Sequence, residues 1–285
     1  FRSAEAQQRQ QLESDLTELA TLRRSFELDP FVVHPMASLR AQAAAHPCST
    51  LWHWLQLAQD PSTEVREAVA KALQQEPRLP ATLLAKLQPK DEAEMNQQLQ
   101  LLAHSEADGA VLLARYRTIP PALESIPVDS PTVMVATLAN PALGGLLLDE
   151  LLYLSQEPVQ LAVASSEAVI RRLCTTHIKL LAKLEQSVYP AVRLALCHNP
   201  QMAVNRLAPL CRDSCTEVQL QAIARCDDPA ALRSVLEGNH LEAVIAAAQR
   251  LITLDRMGPR SRTLLREHTN PQITAWAQAQ LAQGG

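Results

Sequence analysis

Apolar residues recur every three or four positions through most of the chain, which is the spacing of an amphipathic helix. Helical stretches of this kind open at a repeated interval of 26 positions. The interval separates Leu39 from Val65, Val133 from Val159, Val192 from Val218, and Val218 from Val244. Each block combines an Ala-rich helix with a Leu-rich helix, and one such pair leaves apolar surface uncovered. Stacking covers it, so the pattern predicts an all-α fold, an α-solenoid (superhelix) of stacked helix pairs.

Proline marks the point where the first helix of a block ends. Pro47, Pro141 and Pro200 each follow their block's first residue by eight positions. Proline has no N–H group and clashes with the preceding helical turn, so a break is predicted there. Asn140 and Asn199 precede two of these prolines, and we expect them to adopt the unusual backbone angles that asparagine tolerates in turns.

Three segments carry a resemblance to a known kind of repeat. They are VREAVAKAL from Val65, VRLALCHNP from Val192, and DPSTEVREA from Asp60. These segments resemble HEAT-like repeats, and they are still more similar to the bacterial leucine-rich repeat variant. The resemblance implies an α-solenoid, and the repeat of about 26 residues in this chain is a little longer than that family's usual unit. It implies no particular ligand.

The chain is predicted to divide into four parts. Residues 1–30 form an N-terminal capping helix, because a terminal repeat needs a polar outer side, with a coiled-coil or partner-docking helix as the alternative. Residues 31–116 form N-terminal helical repeats. The segment 117–132 contains four prolines and is predicted to be a hinge or a long loop. Residues 133–285 form C-terminal helical repeats.

Shorter segments complete this division. The spacing of the leucines and Phe26 predicts one amphipathic helix over residues 3–29. The acidic, glutamine-rich stretch 91–108 is predicted to be a degenerate helix pair, and residues 255–263 an irregular break before a final helix.

Composition narrows the function classes. The chain has 7 glycines and 3% aromatic residues in 285 positions. Strands favour aromatic residues and phosphate-binding loops need glycines, so the composition disfavours β-sheets and nucleotide-binding folds. A net charge of -4 gives no reason to expect a polyanionic partner. No apolar run is long enough to span a bilayer, so no membrane insertion is predicted. Six cysteines are too few for a disulfide scaffold of this length, which favours a cytoplasmic location.

Two tryptophans are candidate partner-binding residues. Trp52 and Trp54 point about 200° apart on a helix, so both cannot lie in the core. One of them is expected at the surface, either as an interface anchor or as a filler of the junction between the cap and the first repeat.

Arginines form the second candidate set. Arg40, Arg66 and Arg193 follow a block start by one position and would align along one face of the solenoid, where they could bind phosphate or an acidic peptide. The alternative is a structural pairing within the array, for which Glu64 and Glu217 are positioned. A further set of candidates lies near the C-terminus, at Arg256, Arg260 and Arg262, in a basic stretch that also contains Arg266.

The cysteines and histidines give weaker indications. Cys211 and Cys215 would share one helix face and could hold a metal, but a buried cysteine commonly packs as a small apolar residue. Cys174 with His177 could suggest a thiol–imidazole pair, although no familiar metal or catalytic spacing accompanies it. We predict no catalytic, cofactor-binding or metal-binding residues.

The sequence therefore favours a non-catalytic scaffold or adaptor that presents a concave helical-repeat surface to another protein or peptide. The first alternative is a nucleic-acid-binding protein resembling the HEAT-like DNA glycosylases; nucleic acid is disfavoured by the negative net charge and the few aromatic residues. The second alternative is a cofactor- or metal-handling helical-repeat protein, similar in architecture to the lyases that handle phycobilin chromophores.

Overall fold

The structure is a computed structural model, which describes residues 2–75, 87–105, 109–119, 126–127, 129–143, 150 and 156–281. All regular structure in these ranges is helical, and none of them contains a strand. The predicted all-α fold class is therefore confirmed. The chain forms two compact units, Phe1–Val159 and Gln160–Gly285.

The first unit contains eight complete helices among its described residues. They are α1 (Arg2–Thr21), α2 (Asp29–Val32), α3 (Ala37–Ala45), α4 (Leu51–Leu57), α5 (Thr63–Gln74), α6 (Glu92–Ser105), α7 (Gly109–Tyr116) and α8 (Pro131–Ala139). A 3-10 turn spans Ser25–Leu28. Helix α3 packs beside α5, and α7 packs between α6 and α8. Neighbouring helices of successive blocks therefore lie side by side, as a solenoid requires.

Helix α9 (Glu157–Ser165) spans the division between the units. After it, the second unit contains α10 (Glu167–Thr176), α11 (Ile178–Glu185), α12 (Pro190–His198), α13 (Thr216–Arg225), α14 (Pro229–Val235), α15 (Leu241–Thr253), α16 (Pro259–Arg266) and α17 (Pro271–Leu281). Two 3-10 turns, Val204–Leu207 and Pro209–Arg212, take the place of one second helix.

The second unit has two layers. Helices α12, α13, α15 and α17 contact one another in that order and form the first-helix layer. The other layer consists of α11, the turns at 204–212, α14 and α16, and we call it the second-helix layer. Valines and alanines of the first-helix layer, including Val192, Val218 and Val244, are fully buried. The repeated apolar block start is thus the contact that stacks one pair on the next.

The prolines end the first helices as predicted. Helices α3, α8 and α12 each end two residues before Pro47, Pro141 and Pro200, respectively. The expectation of unusual backbone angles at Asn140 and Asn199 was wrong, because both residues are extended, with φ of -74° and -68°. Asparagine is needed for its side chain instead.

Each of these asparagines bridges two chain segments. Asn199 is buried; its side-chain nitrogen donates to the Ala164 carbonyl at 2.8 Å and its side-chain oxygen accepts from the Gln201 N–H at 3.0 Å. Asn140 makes the same kind of contact with the Ala114 carbonyl at 3.0 Å. These bonds satisfy carbonyls at a helix end, which would otherwise be buried without partners.

The predicted helix over 3–29 is shorter than expected, since α1 ends at Thr21. The Glu27 carboxylate accepts the backbone N–H groups of Arg23 at 2.8 Å and Arg24 at 3.0 Å, and this local cap starts a separate turn. Phe26 consequently lies outside the core, with 61% of its surface exposed. The apolar side of α1 packs on the core of the first unit through Leu12, Leu16 and Leu19.

Two shorter expectations are corrected and a third stays a prediction. In the stretch 91–108, a single helix spans Glu92–Ser105 in place of a helix pair. The C-terminal break ends early because α16 begins at Pro259, a residue suited to the first helical position. The proposed hinge at 117–132 lies within the first unit, and its residues 120–125 and 128 are outside the described ranges.

Candidate partner-binding site

The recurring arginines lie in a repeated internal arrangement. Arg40 forms a bidentate ion pair with Asp60, with Nε–Oδ2 at 2.6 Å and Nη2–Oδ1 at 2.9 Å. Its remaining nitrogen donates to the His34 carbonyl at 2.6 Å. The guanidinium therefore ties the end of the block to the loop that precedes α3.

Arg193 repeats this arrangement in the second unit. Its Nε and Nη2 atoms lie 2.6 and 2.8 Å from the two carboxylate oxygens of Asp213, and Nη1 donates to the Ser187 carbonyl. In both units the aspartate stands 20 positions after the arginine and also accepts the backbone N–H two residues further on, at 2.8 Å. Matching geometry at two sites indicates a structural element of the repeat.

The acidic partner differs from the one expected. Glu64 and Glu217 are exposed. Asp60 lies between α4 and α5, and Asp213 lies between the turn at 209–212 and α13, each within reach of its arginine. The hydrogen bond from Arg40 holds the pKa of Asp60 below its usual value. Burial acts to raise the pKa of Asp213, but the bonds from Arg193 and the Cys215 N–H outweigh it and the pKa is lowered.

Arg66 is exposed, yet it too bonds to its own loop. Its Nη1 atom donates to the carbonyls of Asp60 at 2.6 Å and Pro61 at 2.9 Å. Arg40, Arg66 and Arg193 thus each donate a guanidinium N–H to a backbone carbonyl in the loop that precedes their helix. Their predicted role in binding a partner stays a prediction, and of the three only Arg66 is exposed.

The two tryptophans differ in burial, as their spacing predicts. Trp54 is buried and donates its indole N–H to the Ala44 carbonyl at 2.9 Å, so it fastens α4 to the end of α3. Trp52 is half-buried at the edge of the same core. His53, between them, is buried against Asp29 at 3.0 Å, and burial lowers its pKa. Trp52 is therefore the residue of this pair that can meet a partner.

The C-terminal arginines are spread over a turn and a helix. Arg256 is exposed in the turn that follows α15, and Arg260 is exposed on α16. Arg262 is half-buried and donates to the Met257 carbonyl at 3.4 Å. Arg260 also lines a groove between α16 and the loop after α14, together with Glu237 and His268.

Several exposed cations of the second unit were missed in the sequence. They are Lys179, Lys183, Arg212 and Arg233, and all lie, like Arg266, in the second-helix layer. The signal was present in the charges, because the segments 204–212, 229–235 and 259–266 contain arginines and no acidic residue. Their common layer became visible only with the fold.

The proposed thiol sites are not assembled. Cys211 lies in a 3-10 turn and Cys215 precedes α13, so no continuous helix places the two on one face. Cys211 is buried beside Cys226, and that contact together with burial raises the pKa of the Cys211 thiol. Cys174 donates to the Gln201 carbonyl, while His177 contacts Arg172. Within the described ranges no group of three potential metal ligands occurs.

Stacked helix pairs with buried, repeated block starts define this chain as a helical-repeat protein. The family model of the HEAT repeat matches residues 51–75, which contain α4, the Asp60 loop and α5. This match confirms the resemblance to HEAT-like repeats. The finer similarity to the leucine-rich repeat variant stays a prediction, and a search of curated proteins found no match. HEAT repeats commonly mediate protein–protein interaction.

No helix in the part of the chain that the structure describes is long and apolar enough to cross a membrane.

Proposed function

We propose that this protein is a non-catalytic scaffold or adaptor that binds another protein through a helical-repeat surface. The observation that carries the proposal is the HEAT repeat at 51–75 within a unit of stacked helix pairs. Repeats of this architecture present extended surfaces for binding.

The contacts made by the ionisable side chains support a non-catalytic role. Arg40 and Arg193 are engaged in bidentate pairs, and Arg206 pairs with Glu185 at 2.8 and 2.7 Å. These side chains stabilise the repeat and are not directed at a shared reaction centre. The buried histidine His53 is likewise held by a structural contact with Asp29.

The test begins with the full chain as bait in a native extract. A captured protein is then produced separately, and the proposal expects it to co-elute with the chain in a fixed ratio and to cross-link to helical residues of the repeats. Failure of every captured protein to bind when purified, or turnover of a substrate by the chain alone, would contradict the proposal.

A pair of variants tests the candidate surface on the first unit. Trp52→Ala removes the half-buried indole, whereas Leu101→Ala removes an apolar side chain that is 70% exposed on α6. If Trp52 anchors the partner, its loss weakens binding by about tenfold or more while Leu101→Ala has little effect. Circular dichroism of both variants shows whether the helices are retained.

A further inference from the structure

The two units carry opposite net charge. The first, residues 1–159, contains 12 Lys and Arg against 20 Asp and Glu, while the second, residues 160–285, contains 14 against 10. The net charges are therefore -8 and +4, although the whole chain carries -4. A division of charge of this kind points to different electrostatic roles for the two surfaces.

In the second-helix layer of the second unit, each segment or its adjoining loop contacts the next one. Glu185 on α11 pairs with Arg206 at 2.7 Å. The turn at 209–212 contacts α14. The loop after α14 meets the residues after α16, where His268 Nε2 lies 3.0 Å from the Gly238 carbonyl. Because each segment contacts the next, their outer sides form one continuous surface.

Every exposed ionisable side chain on these four segments is a cation, while the adjoining loops carry the exposed acidic residues Asp227, Glu237 and Glu267. The members of this set, which we call the cationic face, are Lys179, Lys183, Arg212, Arg233, Arg260 and Arg266. The one acidic residue of the four segments, Glu185, already pairs with Arg206. No described contact engages the guanidinium groups of Arg233 and Arg266, so their planar donors remain available for bidentate bonds to an anion.

We propose that the cationic face binds an acidic segment of a partner protein. This inference rests on the proposed function and names the chemistry of the partner and the surface it meets. Helical segments packed about 9 Å apart make a four-segment surface about 30 Å long. An extended peptide covers that length with about nine residues at about 3.3 Å each.

A protein ligand fits this surface better than a nucleic acid does. Proteins that bind single-stranded nucleic acid stack bases on aromatic side chains, and α11, 204–212, α14 and α16 contain none. The whole chain carries a net charge of -4, which gives a long polyphosphate no general attraction. A short acidic peptide carries carboxylates that match the guanidinium donors of the face.

The test uses the full-length protein and a fluorescent peptide of about ten residues with alternating glutamate and serine, followed by anisotropy. The charge variant combines Arg233→Gln, Arg260→Gln and Arg266→Gln. The matched control combines Arg9→Gln, Lys71→Gln and Lys90→Gln, three exposed cations of the first unit. Both variants lose the same net charge, so a difference between them reports the location of the charge.

We expect the charge variant to weaken peptide binding by about tenfold or more and the control by less than about twofold, with affinity falling as salt increases. Equal losses in both variants would overturn the proposal. Tighter binding of a duplex oligonucleotide of equal charge at the same salt concentration would also overturn it. So would a loss of peptide binding in the charge variant that is fully explained by self-association of that variant.

The outcome is separable from that of the proposed function. If a purified partner binds and its cross-links avoid the cationic face, this inference fails while the scaffold role stands. If the peptide binds as predicted but no protein partner can be reconstituted, the scaffold role fails while the anion-binding face remains.

Discussion

The repeated Arg–Asp pair permits a sharp test of what holds one helix pair together. Asp213→Asn removes the carboxylate charge while keeping the shape of the side chain, and it leaves Arg193 without an anionic partner. The two side chains are 10% and 6% exposed, so water compensates little. Breaking a buried pair on one side costs about 3–5 kcal/mol, and the remaining amide lowers this to about 2–3 kcal/mol.

The control is Glu217→Gln, which removes the same charge from an exposed position four residues later. Its expected cost is about 0.5 kcal/mol or less, since it loses only a weak interaction with the start of α13. Urea unfolding at neutral pH, followed by far-ultraviolet circular dichroism, compares the two variants. Equal losses of unfolding free energy would refute the assignment of Asp213 as the partner of Arg193.

The pH dependence provides a second check on the same pair. Because the pKa of Asp213 is lowered in the folded state, its contribution is present above the unfolded value of about 4 and is lost as the pH falls through the folded value. The difference between wild type and Asp213→Asn should therefore shrink in strong acid. A difference that stayed constant down to pH values below the folded pKa would contradict the account.

Three further outcomes are expected. Asn199→Ala leaves a buried carbonyl and an N–H without partners and should cost about 2–3 kcal/mol in urea unfolding, against little for exposed Asn205→Ala. Burial, reinforced by Arg172, lowers the pKa of His177 to about 4, so the folded state favours neutral imidazole. Stability should then fall as the pH drops from about 6.5 toward 4, and His177→Asn should flatten that slope. Trp54→Phe loses the bond to the Ala44 carbonyl and should lower the free energy of unfolding by about 1–3 kcal/mol.

The repeat itself could be predicted from the sequence because two local signals coincide. The interval of 26 positions places Val192, Val218 and Val244 at equivalent positions, and all three are fully buried. Pro47 and Pro200 end their helices through a property of the residue itself. Such signals need no knowledge of the neighbouring chain.

Other features depend on contacts that spacing does not encode. Glu27 captures two backbone N–H groups and starts a separate turn, so the helix ends at Thr21 although the apolar periodicity continues to Phe26. Asp60 reaches Arg40 from a loop, where the direction of a side chain is set by the tertiary fold. Asn199 was predicted for its backbone freedom, but the structure uses its amide to join two helix ends.

The candidate surfaces were predicted in part. Spacing alone indicated that Trp52 and Trp54 could not both be buried, and the structure places Trp54 in the core. The cationic face was not recognised because Lys179 and Arg266 stand 87 positions apart in the sequence. Only the contacts between successive segments bring these charges onto one surface.

The central claim is that neighbouring helix pairs stabilise one another along a row. Hydrogen exchange measured by mass spectrometry on wild type and Asp213→Asn tests it most directly, because the substitution lies between α12 and α13. The account predicts that exchange rises most in those two helices, less in α15 and least in α17, following their order of contact. An equal rise in all four helices would contradict it, because that result describes a single cooperative core.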